Sequence, residues 1–337
     1  MIMTKPSSIS RDEGWVAAGA AIGVWGVTFA STRVLLEDFS SLEINIVRFA
    51  LAWAALWGWE FCGAMRSSRP TIESRPTIDT NTKKRRYDDE LLFAAMGLTG
   101  VALYQFLENC AIYYTNANNV AILVSLGPIV TAALAHMFSQ DRSFSQMLVV
   151  GSLIAICGGA MVVFNGVVDF QLRPIGDLMA LGAMVSWGLY SVLLDRANRL
   201  GIAASCAVRK SFGWAWVLMA PLAIWGVTES GYVALDGSCS VTLDPVANIE
   251  RFTSARNICN IAFLGLLASA LSFGLWSFAC RSLGVVRATV GLYLTPVVGV
   301  VFAVVFLGER FSVMSAVGGV MIALGVVLAN WEKGERK

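Results

Sequence analysis

Charge is scarce in this chain. Asp, Glu, Lys and Arg make up 14% of its 337 residues, where a soluble domain carries about 25%. The deficit excludes a surface that faces water all round and fits one that faces lipid. Histidine is scarcer still, with His136 alone, and the seven cysteines show no CxxC spacing, so neither a metal site nor a metal cofactor is expected. Cys62, Cys110, Cys157, Cys206 and Cys280 sit in or beside apolar runs, where packing is their role. No glycine-rich phosphate loop is present, which argues against ATP as the energy source. Basic residues do not interleave with aromatics, so nucleic acid is not an expected partner. The loops also lack the His, Asp or Cys cluster that a membrane-embedded, lipid-handling enzyme would need.

What the chain has instead is 56% apolar residues, gathered into long runs. A spanning helix needs about 20 of them. Ten spans are expected, at 15–35, 42–62, 91–114, 118–138, 146–166, 177–195, 207–228, 258–280, 286–307 and 312–331. The polar residues 1–13 precede a run from Trp15 that can act as an uncleaved insertion signal. With the N-terminus in the cytoplasm, 19 of the 25 Lys and Arg residues fall inside and 6 outside. The positive-inside rule then puts both termini in the cytoplasm of a cell (plasma or inner) membrane, with Lys83-Lys84-Arg85-Arg86 as the main anchor. The polar stretch 66–89 becomes a flexible cytoplasmic loop, and 229–257 its outside counterpart.

The chain also reads twice. Gly14 and Trp25-Gly26 recur as Gly176 and Trp187-Gly188, 162 positions on. At an offset of 168, Gly97 recurs as Gly265, Gly127-Pro128 faces Thr295-Pro296, and Gly151 faces Gly319. Five spans per copy is an odd number, so the copies enter the membrane with opposite orientation. The expected fold is an all-α membrane protein of ten transmembrane helices in two inverted five-helix repeats, 14–168 and 176–331. Two similar units that rock about a shared site suit a transporter.

The interior residues point to that site. Tyr104, Gln105, Glu108 and Asn109 share an arc of about 140° on the third span. A charged carboxylate at mid-span costs on the order of 2.5 kcal/mol or more. Glu108 can therefore carry an exchangeable proton, pair with a cationic substrate, or simply pack as a neutral acid. Trp25, Thr28, Trp187, Tyr190, Trp276 and Tyr293 extend the set as a substrate-facing wall or as core packing. Pro128 and Pro296 are paired candidate hinges, each removing a backbone donor from its span. Gly127, Thr131 and Ala135, and Thr295, Gly299 and Ala303, form small-residue stripes for close helix packing. Arg48 is expected to snorkel to the outer interface.

The run Glu108-Asn109-Cys110-Ala111-Ile112-Tyr113-Tyr114-Thr115-Asn116-Ala117-Asn118-Asn119-Val120-Ala121 with Leu126-Gly127-Pro128, and the run from Leu294-Thr295-Pro296 to Leu307-Gly308-Glu309-Arg310-Phe311-Ser312, resemble the two signatures of the EamA-type members of the drug/metabolite transporter superfamily. Arg48-Phe49 matches a common pair of that family, while Gln140 stands where it usually has glycine. The resemblance covers about residues 14–331. It implies secondary transport, often efflux of amino acids or other small metabolites. The expected partners are a small-molecule substrate, the lipid bilayer and protons, with a homodimer left open. An uncoupled exchanger or facilitator is the alternative.

Overall fold

The structure is a computed structural model that describes residues 10–39, 41–66, 80–115, 117–139, 145–164, 173–228, 250–307 and 312–331. All regular elements among these are helical. In the first half, α1 (Arg11–Leu35) opens on a capping box, with Ser10 and Glu13 each accepting the other's backbone N–H. α2 (Ser41–Arg66) follows. α3 (Thr80–Gly97) passes through a π-helical stretch, Leu98–Leu103, into α4 (Tyr104–Tyr114). α5 (Ala117–Val124) and α6 (Gly127–Phe138) are parted by a turn, and α7 (Gln146–Phe164) closes the half.

The second half repeats this order. It runs through α8 (Pro174–Arg199) and α9 (Ala204–Thr228). The short α10 (Glu250–Thr253) then leads to α11 (Ala255–Ala262), a second π-helical stretch at Phe263–Leu271 and α12 (Ser272–Leu283). α13 (Val285–Val290) and α14 (Thr295–Leu307) are parted by a 3-10 turn, and α15 (Val313–Ala329) comes last. Gly284, between α12 and α13, has a φ of 86°, a backbone conformation that glycine adopts without strain.

Seven stretches of described helix are long and apolar enough to cross a membrane. α15 is apolar but has 17 residues. α2 and α9 carry Glu43, Arg48, Glu60, Arg209 and Lys210, and ion pairs hold all of these but Arg48. Within the expected loop 66–89, α3 already begins at Thr80. Residues 67–79, 229–249 and Gln140 lie outside the described residues.

The recurring glycines mark contacts between the halves, with roles exchanged. Gly14 of α1 lies against Ser282 and Leu283 of α12, and Gly176 of α8 lies against Tyr114 and Thr115 at the end of α4. Gly97 abuts the α9 backbone at Ser211 and Ala215, and Gly265 abuts Leu51 of α2. Gly26 meets α14 at Thr295 and Val298, and Gly188 meets α6 at Thr131 and Leu134. The small-residue stripes of α6 and α14 thus receive α8 and α1.

α7 and α15 pack antiparallel along their lengths. Gly151 touches Gly325 and Ala329, while Gly158 touches Gly318 and Ile322. Gly318, not Gly319, takes this contact, and Gly319 faces open space. α7 and α15 begin at Gln146 and Val313, 167 positions apart, so the register moves from 168 to 167 by these helices.

These contacts make a direct prediction. A Cβ on Gly158 would lie 2.6 Å from the Gly318 carbonyl oxygen, a backbone atom that cannot swing away. Gly158→Ala is expected to lower the unfolding temperature in detergent by roughly 2–10 °C. Gly159→Ala meets open space and gains helix propensity, so it is expected to leave the temperature unchanged or raise it. Thermal unfolding of the two purified variants compares them.

Candidate functional site

The middle of the molecule is an aromatic cluster built where α1 and α8 cross the interrupted rods of the opposite halves. Trp25 and Trp187, the repeat-related tryptophans, meet edge to face with ring centroids 6.0 Å apart. Phe273 lies 5.6 Å from the first and 6.1 Å from the second. Trp276 lies 5.3 Å from Trp25, and Tyr190 and Tyr104 lie 5.3 and 5.2 Å from Trp187. Each π-helical stretch offers a carbonyl to the other half. The Trp25 indole N–H donates to Ala268 at 2.9 Å, and the Ser186 hydroxyl donates to Thr99 at 2.7 Å. A π-helical stretch offsets the usual i−4 bonding and is frequent at functional sites.

A polar arm extends from this cluster. The Tyr104 hydroxyl, beside Trp187, donates to Glu108 Oε1 at 2.9 Å. Glu108 is 8% exposed and Gln105 equally buried. Gln105 and Asn109 line a polar cleft with Thr32, Ile44, Asn45 and Arg48. Arg48 does not snorkel: it is 7% exposed. Its Nε donates to the Ser269 hydroxyl of the other half at 2.6 Å, and its guanidinium rests over the Phe49 ring. Glu108 lies on α4 between the cleft residues Gln105 and Asn109. Trp25 binds Ala268 and Arg48 binds the next residue, Ser269, so the aromatic cluster and the cleft share one anchor.

Most of the residues singled out from the sequence meet here: Trp25, Tyr104, Gln105, Glu108, Asn109, Trp187, Tyr190 and Trp276. Two do not. Thr28 donates to the Trp25 carbonyl of its own helix. Tyr293 belongs to a separate core with Val290 and Ile322, its hydroxyl beside Ser152, because the 3-10 turn at Gly291–Leu294 aims it toward α7 and α15. Pro128 and Pro296 do not kink continuous helices. Each lies in the first turn of α6 or α14, just after a break, where a missing N–H costs nothing. Ser269, Asn45 and Thr32 carry no sequence mark, and Arg48 had one, a charge a few residues into an apolar run.

Ion pairs between the halves stand at both ends of the site. At one end Arg251 binds Glu43 at 2.6 Å and the Asp38 carbonyl at 3.0 Å, stacking on Phe39 and Phe252. Arg256 reaches Glu37 and Asp38, Asn257 donates to Asp38, and Ser31 donates to Asn260 at 2.7 Å. At the other end Lys210 and Trp214 of α9 bind Glu90 of α3, and Arg209 binds Glu60. Asn257 first, then Arg256, hold the Asp38 carboxyl below its ordinary value of 3.8. A carboxylate depressed in the folded state contributes above its unfolded value and is lost as pH falls through the folded one. The Asp38 contacts are therefore expected to hold from neutral pH to about 4 and to loosen only in stronger acid. Amide hydrogen exchange over 36–39 at pH 6 and pH 3, corrected for intrinsic rates, reads this.

Comparison with known proteins gives one consistent picture. The model of the EamA-like transporter family matches residues 14–164 and again 174–331. A protein of Streptantibioticus cattleyicolor named "Probable terminal-alkyne amino-acid exporter" is 27% identical, over 91% of this chain and 89% of its own. An uncharacterized transporter of Bacillus subtilis is 26% identical over 90% and 87%. A protein of Escherichia coli named "Probable amino-acid metabolite efflux pump" is 23% identical over 96% and 98%. A solved crystal structure shares the fold with a TM-score of 0.67 over 95% of this chain and 97% of its own, at 17% identity.

Proposed function

Since the chain belongs to the EamA-like transporter family, and is thus a multi-pass membrane transporter of small molecules and not an enzyme, we propose that it exports a small, amino-acid-like metabolite by proton-coupled alternating access. The two matched stretches are read as inverted five-helix repeats, ten helices in all, with both termini in the cytoplasm. The exchanged glycine contacts and the antiparallel packing of α7 on α15 support the inversion. In an inverted pair, a conformation and its mirror are built from the same contacts with the halves swapped. The ion pairs Glu43–Arg251 and Glu90–Lys210 each join the second helix of one half to the other half, at the short α10 before its third rod in the first case and at α3 in the second. They serve as the outer and inner latches, opened in turn.

The observation that carries the reading is the placement of Glu108. It is a buried carboxyl held by Tyr104, on the helix that also carries the cleft residues Gln105 and Asn109. Two named exporters among the relatives bring amino-acid-like substrates into view. The test is transport by the purified protein in proteoliposomes, against a panel of radiolabelled amino acids and related metabolites, with and without an imposed pH gradient. Accumulation that needs the gradient supports coupled export. Counterflow without gradient-driven accumulation marks an uncoupled exchanger, and no movement of any compound contradicts transport of this substrate class.

A further inference from the structure

Arg48 is the one fully buried basic residue among those described. Arg209, Lys210 and Arg251 are each more exposed, and each has a glutamate partner. Arg48 forms no ion pair among the described residues. Its Nε is committed to Ser269 at 2.6 Å, and its ring neighbour Phe49 fixes the plane of the guanidinium from one side. The side chain is thereby posed, not mobile, and it lines a cleft whose other polar walls are Asn45, Gln105 and Asn109. A buried cation without an ion-pair partner is costly, and an orienting bond on Nε leaves the two Nη groups as a fork suited to a carboxylate.

We propose that Arg48 is the subsite for the carboxylate of the transported molecule, with Asn45, Gln105 and Asn109 as the amide walls around it. This rests on the transport reading and gives that site its substrate class: a small organic monoacid with an apolar or flat body. The body would lie toward the aromatic cluster, because Trp25 and Arg48 are anchored on adjacent residues, Ala268 and Ser269. A single charge is favoured over a phosphate dianion, since Ser269 already takes Nε and the other polar walls of the cleft are neutral. Around Arg48 the cleft draws on Thr32 from α1, Ile44 and Asn45 from α2 and Gln105 and Asn109 from α4, with Ser269 of the second π-helical stretch bonded to it. The subsite joins the halves, so a bound carboxylate would be held by a group whose own support comes from across the interface.

The test uses the full chain in lipid nanodiscs with matched acid and amide probes: phenylalanine against phenylalaninamide, and 3-phenylpropionate against 3-phenylpropionamide. Dissociation constants come from calorimetry, with inorganic phosphate as a competitor. Each acid is expected to bind at least tenfold more tightly than its amide, and phosphate not to compete. Arg48→Gln is expected to remove that preference, so that acid and amide bind alike. Arg48→Lys keeps the charge without the fork, and is expected to cut the preference at least threefold. If the Gln variant does not fold, the Lys variant decides alone. Equal binding of acid and amide by the unsubstituted protein, or an acid preference unchanged in either variant, would overturn the subsite. The same probes run in proteoliposomes separate the two ideas. Amides moved as fast as acids remove the subsite and leave transport standing. Acids bound selectively but never moved leave the subsite and remove transport. No binding and no movement removes both.

Discussion

Glu108→Gln is expected to cut accumulation driven by a pH gradient at least tenfold while leaving substrate exchange near its original rate. The amide keeps the size of the neutral acid and can still accept the bond from the Tyr104 hydroxyl, now given at 2.9 Å to Oε1. What it loses is the ability to exchange a proton. In the proposed cycle that exchange would tie substrate movement to the gradient, so the two readouts should part. The position is buried on α4, the helix that carries the cleft residues Gln105 and Asn109, and a near-isosteric change there leaves the packing intact. A neutral or anionic substrate should still bind the variant, whereas a cationic one should bind more weakly. Uptake into inverted vesicles with and without a pH gradient is the measurement. Full accumulation by Glu108→Gln would leave the residue a packing role only.

Linking the two halves at one end should stop turnover altogether. Ser31 of α1 donates to Asn260 of α11 at 2.7 Å, across the halves and beside the Arg251–Glu43 latch. Cysteines at these two positions, in a background without native cysteines, can be bridged by a short bifunctional methanethiosulfonate reagent. Transport by the bridged protein is expected to fall more than tenfold and to return on reduction, and each single-cysteine protein should be indifferent to the reagent. The effect is large because a rocking cycle has no productive branch with one end held shut. Bridged protein with unchanged turnover would show that this end does not open.

Much of this arrangement was legible in the sequence, and the limits have physical causes. The duplication was readable because glycines at helix crossings cannot be replaced without a clash: Gly14 and Gly176, and Gly97 and Gly265, all prove to be contact points between halves. Trp25 and Trp187 were visible as indoles far from an interface, and Glu108 as a carboxyl in an apolar run. Arg48 misled because an arginine near a span end normally reaches water. Its burial depends on Ser269, 221 residues away, and no local pattern announces such a partner. The π-helical stretches have no sequence signature either, yet they set which carbonyls face Trp25 and Ser186. Tyr293 takes the core-packing alternative, within the 3-10 turn at Gly291–Leu294, and no sequence pattern separates it from the rest of the set. Pro128 and Pro296 were rightly paired but sit beside breaks that the turn before α6 and the 3-10 turn before α14 already make.

The central claim is that the two latches open in alternation, and paired distances test it most directly. Spin labels at Leu36 and Ile258 report the end held by Arg251, and labels at Asp88 and Leu200 report the end held by Lys210; all four positions are exposed. Pulsed electron spin resonance on each pair in nanodiscs, over a range of pH and with a transported compound added, gives two distance distributions under each condition. The account predicts opposite responses: when the population with a lengthened distance grows at one end, it shrinks at the other. Distances that lengthen together at both ends, or that never change while transport proceeds, would contradict it.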